Sequence, residues 1–298
     1  MKTNLIKPLL LLIFISFGCT QNESKFKFVF MTDIHIQSKK NAEEGFLKAL
    51  KKAEELEPDF ILTGGDLIFD ALGQNYDSAK VLYDLYNKLS AQTSIPIYNT
   101  IGNHEVFGLY KKSGVDESDE SFGKKMFKDR IGEGKTYYSF DHKGWHFISL
   151  DAIGFTGDRK YYGLIDSLQM NWLDGDLKNV DSETPIVISI HIPLATIYGQ
   201  MKFGSTYQLP EGAAVTNSKE VLEMFKDHNL KLVLQGHLHI VEEINFDGTS
   251  FITGGAVSGS WWNGPRENFE EGFVLVEVFE NDFEWEYIDY NWEAVNNN

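Results

Sequence analysis

The stretch from Phe60 to Asp66, FILTGGD, joins a short and mostly apolar run to two glycines and an aspartate. A run of this length, bounded by turn residues, is typical of a strand that is buried on both faces. Such strands belong to layered α/β domains, which place their functional side chains just beyond the strand ends. The position of Asp66 therefore predicts a functional carboxylate at the end of a buried strand.

Four other predicted strands are followed by polar residues of the same kinds. They are Asp33 and His35 after Phe26–Thr32, Gly102-Asn103-His104-Glu105 after Ile95–Ile101, His191 after Ile186–Ile190, and Gly236-His237-Leu238-His239 after Leu232–Leu234. Alternation along an extended backbone puts Asp33 and His35 on one side of the chain, and likewise His237 and His239. Each segment alone has an ordinary explanation as a turn, a helix cap or a structural histidine. Five of them at strand ends predict one shared site.

The rest of the pattern predicts a mixed α/β (α+β) fold. Helical periodicity covers Ala42–Leu56, Asp77–Leu89, Ser167–Leu177 and Ser218–His228, and a hairpin pairs Tyr137–Phe140 with Trp145–Leu150. Two polar stretches, Val106–Gly134 and Ala195–Val215, are predicted to be surface loops, and long loops in compact domains are often functional. Because the sequence contains neither a repeat nor a linker, we predict a single domain over residues 26–298.

Composition excludes several classes of protein. The 298 residues include 27 basic and 44 acidic side chains, and 27 − 44 gives a formal net charge of −17. Nonspecific nucleic-acid binding through a basic surface is thereby disfavoured. A hydrophobic content of 42% is enough for a core and excludes a disordered chain.

The N-terminal residues are typical of an export signal. A short cationic segment precedes the apolar run Pro8–Phe17, which is too short to span a bilayer core of about 30 Å as a helix. Cys19 is the single cysteine of the chain, and its place after this run resembles the lipobox of bacterial lipoproteins. We therefore predict a lipoprotein signal peptide over residues 1–18, lipidation of Cys19, a tether over residues 19–25, and an exported protein anchored in the periplasm or at the cell surface. An ordinary cleaved signal peptide, with an unmodified Cys19, is the alternative.

Taken together, the five segments resemble the calcineurin-like metallophosphoesterase superfamily. Its signature runs Asp-x-His, Gly-Asp, Gly-Asn-His-(Asp/Glu), a later His and Gly-His-x-His, and all of these occur in order between Asp33 and His239. The resemblance implies a two-layer β-sandwich flanked by helices, with a dinuclear metal centre at the strand ends. It implies that one metal is held by Asp33, His35, Asp66 and His239, and the other by Asp66, Asn103, His191 and His237, with Asp66 as the bridge.

Imidazole and carboxylate ligands together favour Mn, Fe, Zn or Co over Mg or Ca. Two such ions can lower the pKa of a bound water molecule and position both the attacking and the leaving oxygen. The expected function is therefore hydrolysis of phosphate monoesters or diesters by a metal-bound hydroxide. His104, which is not a ligand in the implied set, is expected to protonate the leaving group or to stabilise charge in the transition state.

Four further residues lie in or near these motifs. Phe69 stands where the purple acid phosphatase branch has a tyrosinate ligand, so an Fe(III)–tyrosinate chromophore is not expected. Asp70 either orients His104 or is an acid in a surface turn. The sequence leaves open the role of Glu105, whereas Asp151 is expected to be structural or to support the ligands from behind.

The loop Gly254–Phe269 is a third candidate for substrate recognition. It carries Trp261, Trp262 and Arg266. We expect Arg266 or a tryptophan to contact the substrate, the arginine by bidentate binding of phosphate and a tryptophan by stacking on a base or a lipid headgroup. The alternative is that both tryptophans pack against the edge of the sandwich.

The sequence leaves rival functions open. Within the enzymes these are a cyclic-nucleotide phosphodiesterase, a nucleotidase or broad phosphomonoesterase, and a phospholipid-type diesterase, and export argues mildly against cytosolic cyclic nucleotides. From a different class, the chain could be a surface-exposed binding lipoprotein that keeps the fold without turnover, although the presence of every expected ligand and of His104 argues against this. The partners implied are a small phosphoester and, through Cys19, a membrane; no nucleic acid or protein partner is implied.

Overall fold

The computed structural model of the chain describes residues 24–294. Its strands are β1 (Phe26–Met31), β2 (Phe60–Thr63), β3 (Ile97–Tyr98), β4 (Tyr138–His142), β5 (Trp145–Leu150), β6 (Ile153–Phe155), β7 (Tyr161–Gly163), β8 (Pro185–Ile190), β9 (Asn229–Gln235), β10 (Val241–Phe246), β11 (Thr249–Gly254), β12 (Gly272–Val278) and β13 (Phe283–Asp289). Its α-helices are α1 (Ala42–Glu55), α2 (Tyr76–Ser90), α3 (Lys125–Arg130), α4 (Ser167–Leu177), α5 (Tyr198–Phe203) and α6 (Ser218–Glu223). A 3₁₀ helix covers Lys111–Ser113.

Two mixed sheets form the body of the protein. The first has the order β13-β12-β1-β2-β3, and the second has the order β10-β11-β9-β8-β5-β4. Strands β1, β2 and β3 run parallel to one another, as do β5, β8, β9 and β11. Strands β6 and β7 form a separate two-stranded sheet. Because the carboxyl ends of parallel neighbours meet at one edge, each large sheet presents several strand ends together.

Alternation along the strands divides the apolar residues between two surfaces. In β1, Phe28 and Phe30 belong to an aromatic cluster shared with the second sheet, whereas Val29 and Met31 pack with the helices. Ring centroids of Phe28 and Phe60 lie 5.1 Å apart, and those of Phe28 and Phe147 lie 5.4 Å apart. The interior of the sandwich is therefore largely aromatic, which adds edge and stacking contacts to the apolar burial.

Helices cover the outer face of each sheet. Phe46 of α1 and Tyr83 of α2 are buried in the cluster that contains Val29 and Met31, and Leu173 of α4 is buried in the cluster on the outer side of the second sheet. The predicted two-layer sandwich flanked by helices is confirmed.

Buried hydroxyl groups connect the two sheets beneath the strand ends. Thr100 Oγ1 lies 2.9 Å from Ser149 Oγ and 2.8 Å from Ser189 Oγ, and Ser189 Oγ donates to the carbonyl of Thr63 at 2.8 Å. Because these groups have no water to bond, their mutual hydrogen bonds fix the separation of the sheets. The ends of β2, β5 and β8 are thus held close together.

The prediction that Val106–Gly134 is a surface loop is wrong in part. Val106, Phe107 and Phe127 are fully or almost fully buried, and the segment contains both the 3₁₀ helix and α3. The mean polarity of the segment hides these few apolar anchors, since most of the residues between Phe107 and Phe127 are polar or charged. The second predicted loop, Ala195–Val215, contains the short helix α5.

The predicted signal peptide, Cys19 and most of the tether lie outside residues 24–294, so lipid anchoring stays a prediction. Within that range, none of the helices combines the length and the apolar character needed to cross a membrane.

Candidate metal centre

The first cluster lies where β1 and β9 end. Asp33 Oδ1 is 3.1 Å from His239 Nε2, and His35 Nε2 is 3.1 Å from the same nitrogen. All three side chains are buried. Their donor atoms lie close enough together to share a single ion.

The second cluster lies where β2, β3, β8 and β9 end. His191 Nε2 is 3.1 Å from Asp66 Oδ2, 3.0 Å from Asn103 Oδ1 and 3.2 Å from His237 Nδ1. Asp66, His191 and His237 form a group that could hold a second ion.

Asp66 connects the two clusters. Its Oδ2 atom, 3.1 Å from His191 Nε2, is also 3.6 Å from His35 Nε2. Its Oδ1 atom accepts the backbone N–H of His104 at 2.9 Å, which fixes the orientation of the carboxylate. The structure therefore brings all seven predicted ligands together and puts Asp66 between the two sets.

The backbone at these residues is unusual. Five of the seven have positive φ: Asp33 (55°), His35 (47°), Asp66 (53°), His237 (71°) and His239 (55°). Side chains other than glycine rarely adopt this conformation, and where they do it is commonly at functional sites. Gly102 allows the close approach, because a Cβ there would lie 2.3 Å from both the backbone nitrogen and Oδ1 of Asp66.

The hydrogen bonds behind the cluster leave lone pairs facing inward. Nδ1 of His239 donates to the carbonyl of Gly259, and Nδ1 of His191 donates to the carbonyl of Gly64. A carbonyl can only accept, so in the neutral ring each Nε2 carries a lone pair. Asp33 Oδ2 accepts from Thr32 Oγ1 and from the backbone of His237, whereas the buried Oδ1 has no hydrogen-bond partner among residues 24–294. In the neutral rings these converging lone pairs fit a bound cation.

Burial and charge set the protonation of the histidines. Burial lowers the pKa of His35 to about 4, and burial together with the charge of His191 lowers the pKa of His237 to about 3. Burial also acts to lower the pKa of His191, but the Asp66 carboxylate outweighs it and raises that pKa to about 9. The pKa of Asp66 is lowered by the surrounding histidines despite its burial. His35 and His237 are therefore neutral at pH 7, the form in which imidazole binds metal.

Comparison with known proteins agrees with this geometry. The family model for calcineurin-like phosphoesterases matches residues 26–241. The chain belongs to the calcineurin-like phosphoesterase family. It is a hydrolase that cleaves phosphoesters in a metal-dependent reaction, and its Asp and His clusters correspond to a dinuclear site for divalent ions. The identity of the metals is a separate question.

Two relatives and one solved structure show the extent of the similarity. A 3′,5′-cyclic-nucleotide phosphodiesterase of Nostoc sp. is 27% identical over 219 residues, 70% of each chain. A Moraxella catarrhalis protein named as a probable cyclic nucleotide phosphodiesterase is 25% identical over 232 residues, 75% of each chain. The crystal structure of a dimetal phosphatase from Danio rerio superposes with a TM-score of 0.65 at 16% identity, covering 90% of this chain and 97% of that one, which shows a shared fold.

Glu105 has a defined role in this calcineurin-like phosphoesterase that the sequence left open. Its Oε1 accepts the backbone N–H groups of Leu67 and Ile68, and its Oε2 accepts those of Asp66 and Gly102, at 2.7–3.0 Å. Burial and the Asp66 carboxylate raise the pKa of Glu105 to about 7, but the four N–H donors favour the ionised form. Glu105 therefore holds the backbone that carries Asp66.

We expect Glu105→Gln to lower the free energy of unfolding of the metal-free chain by about 2–6 kcal/mol. The amide nitrogen would replace one carboxylate oxygen and leave two buried N–H donors without an acceptor, at about 1–3 kcal/mol each. Urea denaturation would measure the loss. Glu117→Gln is the matched control, because the Glu117 side chain is 65% exposed. An unchanged midpoint for Glu105→Gln would show that Glu105 is already protonated in the folded state.

His104 lies on the solvent side of the cluster. Its Nδ1 bonds to the carbonyl of Phe69, its Nε2 is 3.8 Å from Asp66 Oδ2, and its side chain is 23% exposed. Asp70 does not orient this histidine, because its carboxylate accepts the backbone N–H of Leu72 within its own turn. The alternative of a turn acid is therefore correct for Asp70, and a backbone carbonyl takes the orienting role.

A pocket of about 560 Å³ opens beside His104 and Asn103. Its lining includes the aromatic side chains of Phe69, Tyr110, Tyr161 and Trp261, which belong to separate segments. The ring centroid of Trp261 is 4.6 Å from that of His239, and the centroid of Tyr161 is 6.0 Å from that of His237. The aromatic walls are therefore continuous with the metal-binding residues.

The predicted substrate contacts separate into different roles. Trp262 is fully buried and its Nε1 donates to the carbonyls of Ile34 and His35, so the prediction that it contacts substrate is wrong. It instead packs beneath the first cluster and supports the backbone of His35. Trp261 does line the pocket, and the guanidinium of Arg266 lies 5.1 Å from its ring centroid, outside the pocket lining. Arg266 therefore supports Trp261, and a direct contact with substrate stays a prediction.

Asp151 is structural. Its carboxylate lies 2.7 Å from Lys124 Nζ and accepts the backbone N–H of Ile153, while its backbone bonds to both ends of the Gln169 amide. The sequence does not reveal this arrangement, because two of the partners, Lys124 and Gln169, come from distant segments.

Proposed function

We propose that the chain hydrolyses phosphodiesters of nucleotides. The observation that carries this proposal is the aromatic pocket beside the clusters, whose volume of about 560 Å³ lies within the range of about 300–1,000 Å³ that small-molecule sites occupy. A small phosphate monoester would leave most of this volume unfilled. Tyr110, Tyr161 and Trp261 offer flat faces on which a nucleobase can stack. The relatives named as cyclic-nucleotide phosphodiesterases support the same substrate class.

We assign the metal ligands as two sets that share Asp66. The first is Asp33, His35, Asp66 and His239, and the second is Asp66, Asn103, His191 and His237. We propose Mn, Fe, Zn or Co as the ions, because mixed imidazole and carboxylate ligands favour them. When bound, two such ions supply positive charge for the phosphate and activate a water molecule for attack.

The residues around the ions would then complete the reaction. His104 faces the pocket with Nε2, so that it can give a proton to the departing alkoxide while Phe69 holds the other ring nitrogen. Asp33, Asp66 and Asn103 hold fixed side-chain orientations through backbone and imidazole contacts, which limits reorganisation during turnover. The alternative of a binding lipoprotein without turnover is disfavoured, because all seven predicted ligands lie in the two clusters and the partly exposed His104 lies beside them.

Comparison of a diester with a monoester tests the proposal. With Mn²⁺ added, we expect kcat/KM for bis-p-nitrophenyl phosphate to exceed that for p-nitrophenyl phosphate by at least about tenfold, and nucleoside 3′,5′-cyclic phosphates to be cleaved. Chelation of the metal abolishes both reactions. A preference for the monoester would contradict the diesterase proposal and indicate a scavenging phosphatase. Absence of turnover with each of the four metals would favour the binding lipoprotein.

A further inference from the structure

The charge of the pocket is opposite to that of the chain as a whole. The protein has 44 acidic and 27 basic side chains. The pocket is lined by Lys40 and Lys112 but by a single carboxylate, Asp70, which already accepts a backbone N–H. Neither lysine pairs with a carboxylate within residues 24–294. An acidic protein therefore presents two uncompensated ammonium groups in its pocket.

The residues around Lys112 set the position of its side chain. Its Cε atom lies 2.2 Å from the place where a Cβ of residue 73 would stand, so the absence of a side chain at Gly73 makes room for it. Its Nζ atom lies 5.6 Å from the ring centroid of Tyr110, which also lines the pocket. A cation–π contact with Tyr110 favours this position of the ammonium group. Lys112 is thus partly ordered despite its exposure.

Arg159 holds the segment that carries Tyr110 and Lys112. Its guanidinium donates to three backbone carbonyls, those of Leu109 at 2.8 Å, Gly108 at 2.5 Å and Val115 at 3.0 Å, and stacks on Phe122 at 5.1 Å. A planar group with fixed donors suits this arrangement, and a lysine could not reproduce it. The connection between β6 and β7 therefore anchors the pocket wall from behind.

We propose that Lys112 and Lys40 form a second anion subsite, so that the preferred substrates carry another phosphate besides the one that is cleaved. The inference rests on the proposed function and narrows it to nucleotide phosphodiesters that carry a second phosphate group. The two clusters bind the reacting phosphate, the aromatic walls bind the base, and the two ammonium groups bind the additional anion. Charge-assisted hydrogen bonds of this kind are about twice as strong as neutral ones.

Equilibrium binding of two slowly hydrolysed nucleotides tests the subsite. The full chain with Mn²⁺ is titrated by calorimetry with α,β-methylene-ADP, which has two phosphorus groups, and with adenosine 5′-thiomonophosphate, which has one. We expect the two-phosphorus ligand to bind at least about tenfold more tightly, a difference that one charge-assisted contact can supply. In Lys112→Met this ratio falls to about threefold or less, and in Lys40→Met it falls in the same direction.

Two further variants separate the subsite from general effects. Lys111→Met removes a neighbouring exposed charge outside the pocket and leaves the ratio unchanged. Arg159→Lys keeps the charge but loses the bonds to the loop, and the ratio falls as the wall loosens. A ratio near one in the unmodified chain, or a ratio that Lys112→Met does not alter, would overturn the inference. Because the readout is binding, failure of the diesterase assay would be a distinct result.

Discussion

The Asp66→Asn variant is expected to lose phosphodiester hydrolysis by on the order of 10³-fold or more, about 4 kcal/mol of transition-state stabilisation. Asp66 Oδ2 lies between His191 and His35, where it can bind ions of both clusters. An asparagine of the same shape that keeps its oxygen to accept the His104 N–H places an amide nitrogen, which cannot bind a cation, where Oδ2 stood. The loss of negative charge lowers the affinity for the second metal ion most.

Metal content distinguishes this cause from misfolding. Elemental analysis should find about two ions per chain in the unmodified protein and one or fewer in Asp66→Asn. Asp181→Asn is the matched control, since Asp181 is exposed, lies outside the pocket and accepts the backbone N–H of Glu183 within its own turn. We expect the control to keep activity within about threefold, as is usual for substitutions with no partner in the site. Activity above a tenth of the original in Asp66→Asn would show that the two ions do not depend on a shared carboxylate.

The residues of the two clusters could be predicted from the sequence because each lies shortly after a strand. Asp33, Asp66 and His191 are positioned by local rules, in which an apolar run sets the strand and a polar residue follows at its carboxyl end. The family resemblance then divided the ligands into two sets, and the distances around Asp66 agree with that division. The sandwich and its flanking helices followed from the same periodicity.

Residues whose role depends on distant backbone could not be predicted in this way. Glu105 accepts N–H groups from Asp66, Leu67 and Ile68, nearly forty positions earlier in the chain, and no spacing in the sequence reveals this. Trp262 and Trp261 are adjacent and chemically identical, yet one is buried under His35 and the other lines the pocket. The backbone is left-handed at both tryptophans, so that their side chains point in different directions. Residue propensities do not predict that backbone conformation.

The segment Val106–Gly134 shows a second reason why part of the structure could not be predicted from the sequence. Its average polarity indicated a surface insertion, but Phe107 and Phe127 anchor it in the core, and Arg159 holds Leu109 and Val115 through backbone carbonyls. A few anchoring side chains are enough to order a polar loop when each is fully buried or donates hydrogen bonds to several backbone carbonyls. A loop with such anchors can present Tyr110 to a ligand with little loss of entropy on binding.

The effect of His104→Ala should depend on the leaving group. We expect a loss of about 10²–10⁴-fold in kcat for diesters with an alkoxide leaving group, the range associated with general acid catalysis. For bis-p-nitrophenyl phosphate the loss should be about tenfold or less, because a stable phenolate departs without needing a proton. The comparison of the two substrates therefore measures proton donation separately from any effect on binding.

A ligand role for His104 is the rival explanation, since its imidazole also lies within reach of His35 and Asp66. If His104 were a ligand, the alanine variant would lose metal and both substrates would be affected equally. If it is the acid, metal content stays at the original level while the alkyl diester alone loses most of its turnover. His142→Ala controls for removal of an imidazole, because His142 pairs with Asp59 and lies outside both clusters. Equal losses on the two diesters, with full metal content, would assign His104 to charge stabilisation in the transition state instead of proton transfer.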